Sequence, residues 1–77
     1  MKELLTYVAQ NLVEHPEQVS VTEHRRRRVR SVLELRVAPE DTGKVIGRQG
    51  RIAKEIRTLI RSVAQRSGKR VSVEIVD

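Results

Sequence analysis

The pattern of apolar residues along this 77-residue chain predicts an α+β fold in which helices cover one face of a three-stranded sheet. Three observations carry that prediction. Apolar residues recur at helical spacing near the start and again after residue 50; they alternate with period two in three other stretches; and the elements fall in the order helix, strand, strand, helix, helix, strand. The length fits one domain, residues 1–77, because so short a chain buries only about 60% of its unfolded surface and cannot support two cores.

Residues 2–14 place Leu4, Leu5, Val8, Leu12 and Val13 one helical turn apart, and Pro16 stops the pattern. Residues 18–24 alternate, with Val19 and Val21 on one side and Ser20 and Thr22 on the other, as a half-buried strand does. A second strand spans 29–37, where Val29, Ser31, Leu33, Leu35 and Val37 share a face. Between the two strands stand Arg25, Arg26, Arg27 and Arg28, read as the connection of the hairpin although no Gly, Asn or Pro specifies a tight turn there. Pro39, followed by Glu40 and Asp41, marks a helix first turn, with a pre-set φ and two acids against the positive end of the dipole. Gly47 ends that short helix. A longer helix follows Gly50, with Ile52, Ala53, Ile56, Leu59, Ile60, Val63 and Ala64 as its apolar face, and runs to about Ser67 and Gly68. Val71, Val73 and Ile75 alternate in a closing strand.

Charge is segregated along the chain. The net charge is +6 with a pI near 10.8, but residues 1–23 hold Lys2 against four glutamates while residues 43–70 hold nine Lys and Arg against Glu55 alone. A chain built this way presents a positive face to phosphate-rich partners. Arginine dominates that face, and its planar guanidinium pairs bidentately with phosphate.

The segment Gly43-Lys44-Val45-Ile46-Gly47-Arg48-Gln49-Gly50-Arg51-Ile52 concentrates the functional signal. Glycines at 47 and 50 permit positive φ and close approach of a sugar-phosphate chain, and the loop feeds a helix start whose unpaired amides favour a phosphate. Arg48 and Arg51 add side-chain donors to the same backbone.

VIGRQG followed by a basic amphipathic helix resembles the GXXG signature of KH domains, in which the loop clamps about four nucleotides of backbone. The element order resembles the type II KH topology typical of bacterial proteins. LELRVAPEDTGKVIGRQGRIAKEIR, with the MKELL opening and the GKRVSVEI ending, is similar to the short bacterial stand-alone KH proteins of the KhpA family over nearly the whole chain. The resemblance implies that Gly47, Arg48, Gln49 and Gly50 form the clamp and that Val45, Ile46 and Ile56 line the groove beneath the bases. Lys44, Arg51 and Lys54, basic residues beside the loop, are further RNA-binding candidates. The resemblance also implies single-stranded RNA as ligand, an RNA-chaperone or regulatory role linked to the cell envelope, and a homodimer or a heterodimer with a larger KH-containing protein of the KhpB type. Two features depart from the family. Ala53 stands where many KH domains carry a large aliphatic residue, and the strand connection is richer in arginine.

Several alternatives are weighed on the same residues. A nucleotide-binding P-loop counted from Gly43 would need its second glycine where Arg48 stands, so nucleotide hydrolysis is disfavoured. No nucleophile–base pair is evident, which points away from an enzyme. The chain has no cysteine, and His15 and His24 stand apart, so no metal or cofactor is expected. Tyr7 is the only aromatic residue and cannot build the stacking platform of other single-strand binders. Nothing resembles a signal peptide or a membrane span, so a cytoplasmic location is expected. The arginines at 25–28 are open to two readings, auxiliary RNA contact or a solvated hairpin tip that discourages edge pairing. Arg57 and Arg61, one helical turn apart and near Lys54, are open to two readings, tracking of phosphates or a water-facing helix side with Glu55 nearby, and the second is favoured. The rival function, from a different class, is a protein-docking module with a KH shape.

Overall fold

The computed structural model describes residues 1–27 and 30–76; for Arg26 and Arg27 it describes the backbone. Helix α1, Lys2–Gln10, turns Leu5 and Ala9 fully inward. It ends four residues earlier than the apolar pattern predicts, and Asn11 explains why. The Asn11 side-chain amide donates to the Tyr7 carbonyl at 2.8 Å, and its backbone amide is shared between Tyr7 and Val8. Leu12 then closes a tighter bond to Ala9, and the chain leaves the helix. Val13 still packs against the core from the loop, while Leu12 is left exposed.

Pro16–Gln18 form a single 3₁₀ turn, so strand β1 begins at Ser20 and runs to Arg27. The backbone of Arg25–27 is therefore strand rather than the connection expected from the sequence, with an irregularity between Arg25 and Arg27. Arg28 and Val29 lie outside the described residues. Strand β2, Arg30–Arg36, pairs antiparallel with β1, placing Val21 opposite Leu35 and His24 opposite Val32.

A 3₁₀ turn over Pro39–Asp41 leads into helix α2, Thr42–Ile46. The expected single helix over 39–46 is thus divided, with its proline and acids forming the tighter first part. Helix α3, Arg51–Arg66, returns the chain to strand β3, Arg70–Ile75, which pairs parallel with β2. The two helices supply the crossover that parallel strands require. The sheet order β1-β2-β3 leaves β1 and β3 as edges.

The helices sit over one face of the sheet. Leu33 and Leu35 of β2, Val21 of β1 and Val73 of β3 meet Leu5, Ala9, Val45, Ile56 and Ile60 in one core. On α3 the buried seam is Ala53, Ile56, Ile60 and Ala64. The apolar face read from the sequence is wider than this seam, because α1 and the sheet cover only part of it, and Leu59 remains 42% exposed. No described helix is long and apolar enough to cross a membrane.

Candidate nucleic-acid interface

The turn between α2 and α3 is built from three special conformations. Gly47 ends α2 at φ 76°, ψ 173°, a region essentially restricted to glycine, and its amide donates to Gly43 at 2.9 Å. Gln49 follows at φ 58°, ψ 26° and Gly50 at φ 72°, ψ 15°, both left-handed. Gln49 is the one non-glycine residue with positive φ among those described, and backbone strain of this kind gathers at ligand-binding turns.

The two loop glycines answer to different constraints. A Cβ on Gly47 would lie 2.6 Å from Cγ1 of Ile52 and 2.9 Å from its Cβ, so glycine is demanded here by packing as well as by φ. A Cβ on Gly50 would meet nothing within 4 Å, so that side of the loop is open.

Hydrogen bonding leaves the loop with spare donors. The Gly50 amide closes onto the Gly47 carbonyl at 3.1 Å and the Arg51 amide onto Arg48. The intervening amides of Arg48 and Gln49 meet no acceptor among the described residues. Gly50 caps α3 without any side-chain hydrogen bond, which leaves the start of a sixteen-residue helix available to an anion. Arg48, Gln49, Arg51 and Lys54, all exposed, flank these amides in the chain, and no described carboxylate pairs with the three cations. Arg51 reaches back to the Gln49 side-chain oxygen at 3.5 Å.

The other expected site residues divide into floor and flank. Val45 and Ile56 are core residues, 0% and 4% exposed, and hold the turn from beneath, whereas Ile46 and Ile52 are half-buried beside it. Lys44 is turned toward the connection after α1, 3.6 Å from Asp41 and 3.9 Å from Glu14. The backbone at 25–27 lies away from the loop. Arg27 is in register with Arg30, which begins β2 beside the start of β3, and β3 begins just past the C-terminal end of α3. The loop lies at the opposite end of that helix, about 24 Å away at 1.5 Å per residue. Arg28, the last of the run, is outside the described residues.

Two residues hold the elements around the site together through contacts that their sequence positions do not show. Asp41 is fully buried and accepts the backbone amides of Glu14 and His15 at 3.2 and 3.0 Å, tying the connection after α1 to the start of α2. Burial pushes its carboxyl up, but the two amides and the positive charges of His15 and Lys44 outweigh this and hold it below the usual value of 3.8. In the sequence, an acid two residues after a proline signals only a complement to the helix dipole. Arg57 donates from Nε to the Val73 carbonyl at 3.2 Å, clasping α3 to edge strand β3 instead of facing water freely.

Among the described residues, no group of three His, Cys, Asp or Glu is placed to hold a metal ion.

The profile of a KH-domain family, described as KhpA/KhpB, KH domain, matches residues 2–75. The chain belongs to the KhpA/KhpB KH family. The RNA-binding protein KhpA of Clostridium acetobutylicum is 54% identical over 76 residues, covering 99% of this chain and 100% of its own. The protein of the same name from Chlamydia pneumoniae is 48% identical over 77 residues, covering 100% of this chain and 97% of its own. A crystal structure of Aquifex aeolicus Era superposes with a TM-score of 0.66 at 22% identity, over 96% of this chain and 28% of the Era chain, a likeness of fold. In this KH chain the GXXG segment is Gly47-Arg48-Gln49-Gly50.

Proposed function

We propose that this chain is a noncatalytic single-stranded RNA-binding protein that grips the sugar-phosphate backbone at the loop 47–50. The observation that carries the reading is the pair of amides at Arg48 and Gln49 that meet no acceptor among the described residues, held between two positive-φ glycines at a start of α3 without a side-chain cap. A phosphate seated there receives main-chain donors, the positive end of the helix and the Arg48 and Arg51 guanidiniums together. Bases attached to that backbone rest beside the loop against Ile46, with Val45 and Ile56 as the floor and Lys54 as a flanking charge. The naming of relatives such as the Clostridium acetobutylicum protein as RNA-binding supports the same ligand. So small a contact gives weak, salt-sensitive binding, and an RNA-chaperone or post-transcriptional role follows when a second copy or a larger KH-containing partner of the KhpB type adds further contacts.

The test is the double substitution Arg48→Asp and Gln49→Asp, read by fluorescence anisotropy on unstructured RNA. RNA affinity falls at least tenfold while the circular dichroism spectrum is unchanged, and unaltered binding refutes the loop as clamp.

A second reading, protein docking, is favoured by one observation. Val8, Leu12, Ile52 and Leu59 line an apolar groove between α1 and α3, with Leu12 37% and Leu59 42% exposed. Under that reading Leu59→Ser abolishes self-association or partner binding and leaves RNA affinity intact.

A further inference from the structure

A second basic concavity lies at the far end of α3 from the loop. Arg30, Arg61, Lys69 and Arg70 surround a cleft of about 550 Å³, with Gln65 on one wall and Glu74 the single acid among the described lining residues. None of the four cations pairs with a described carboxylate, Glu74 included. Arg30 and Arg70 are direct cross-strand neighbours on the parallel ladder. Like charges placed directly opposite on a sheet are destabilising, so folding alone gains nothing from this rung. The negative end of the α3 dipole accounts for Lys69, which follows the helix, but not for Arg30 and Arg70, which open two strands. A bound polyanion offsets the repulsion of all of them.

The cleft is connected to the loop. Lys54, Arg61 and Gln65 are exposed and stand at i, i+7 and i+11 on α3, one flank of the helix running from the loop to the cleft. The distance decides what ligand spans both. Four clamped nucleotides cover about 14 Å at the stacked spacing of about 3.4 Å, whereas the helix spans about 24 Å, so about seven nucleotides are needed. We propose that single-stranded RNA held at the loop continues along this flank and places further phosphates in the cleft formed by Arg30, Arg61, Lys69 and Arg70. The assignment rests on the reading of the loop as an RNA clamp, and it makes the chain a binder of longer strands than one KH loop holds.

Amide chemical shifts of the full chain, titrated with unstructured RNA of four and of twelve nucleotides, test it. The short strand moves amides of the loop and its surroundings, 45–56, and leaves the cleft unmoved; the long strand also moves Arg61, Gln65, Lys69 and Arg70. The pair Arg61→Glu and Arg70→Glu, both at exposed positions, lowers affinity for the long strand tenfold or more and leaves the short strand within twofold. The slope of log affinity against log salt becomes shallower by about 0.7 for each phosphate that the variant no longer neutralises. The proposal is overturned if the long strand leaves the cleft amides unmoved, or if the pair weakens both strands equally. If the Arg48→Asp, Gln49→Asp protein keeps its affinity while the cleft pair loses it, the loop reading fails and the cleft stands as the RNA site.

Discussion

Gly47→Ala and Gly50→Ala exchange the same atom in one loop, and the structure assigns them different costs. At Gly47 the backbone sits at φ 76°, ψ 173°, where a residue bearing a Cβ loses about 1–3 kcal/mol. The new methyl would also lie 2.6, 2.9 and 3.0 Å from three side-chain atoms of Ile52. Ile52 is β-branched and fixed in the first turn of α3, so it cannot swing clear, and forcing a methyl into such a space costs about a further 1–3 kcal/mol. The sum, about 2–6 kcal/mol, is a large part of the roughly 4–12 kcal/mol available to a chain of this length. At Gly50 the conformation is left-handed but the space is open, and the cost is about 1 kcal/mol. With about 4–8 °C of Tm lost per kcal/mol in a domain this small, Gly50→Ala lowers Tm by about 4–8 °C and Gly47→Ala by at least twice as much, about 8–16 °C or more. Thermal unfolding followed by far-ultraviolet circular dichroism measures both. If the two variants melt within a few degrees of each other, the steric argument for Gly47 is wrong.

Three further outcomes follow from the packing. Asp41→Asn removes a carboxylate whose folded value is depressed, so the stabilisation it supplies is full above 3.8 and fades as pH falls through the lower folded value. Urea midpoints of the two proteins therefore differ most at neutral pH and converge in acid, and a constant gap across that range contradicts the assignment. Leu33→Ala, at a fully buried position, costs about 2–5 kcal/mol, while Leu59→Ala, at an exposed one, costs no more than about 0.5 kcal/mol; equilibrium unfolding in urea separates them. Arg57→Ala breaks the bond to the Val73 carbonyl and costs about 0.5–1.5 kcal/mol, with faster amide exchange along β3 as its local signature.

Local signals were legible because they depend on neighbours in the chain. Period-two alternation located the strands, the spacing of Ile56, Ile60 and Ala64 located α3, and two glycines around Arg48 and Gln49 located the turn. Boundaries were less legible where a side chain competes with the backbone, as Asn11 does at the end of α1. The arginines at 25–28 carried no turn residue, and antiparallel pairing with β2 drew Arg25–27 into β1.

By itself the sequence determined the kinds and order of elements, the basic character of the second half and the glycine-bracketed turn, since each is written in residues a few positions apart. Tertiary structure alone decided that Ile52 forbids a side chain at Gly47, that Asp41 receives the amides of Glu14 and His15, and that Arg30 stands beside Arg70. Those pairings arise from strand register and from the helical crossover between β2 and β3. A periodic pattern tells a residue which way to face, while only the closed fold tells it what it will meet.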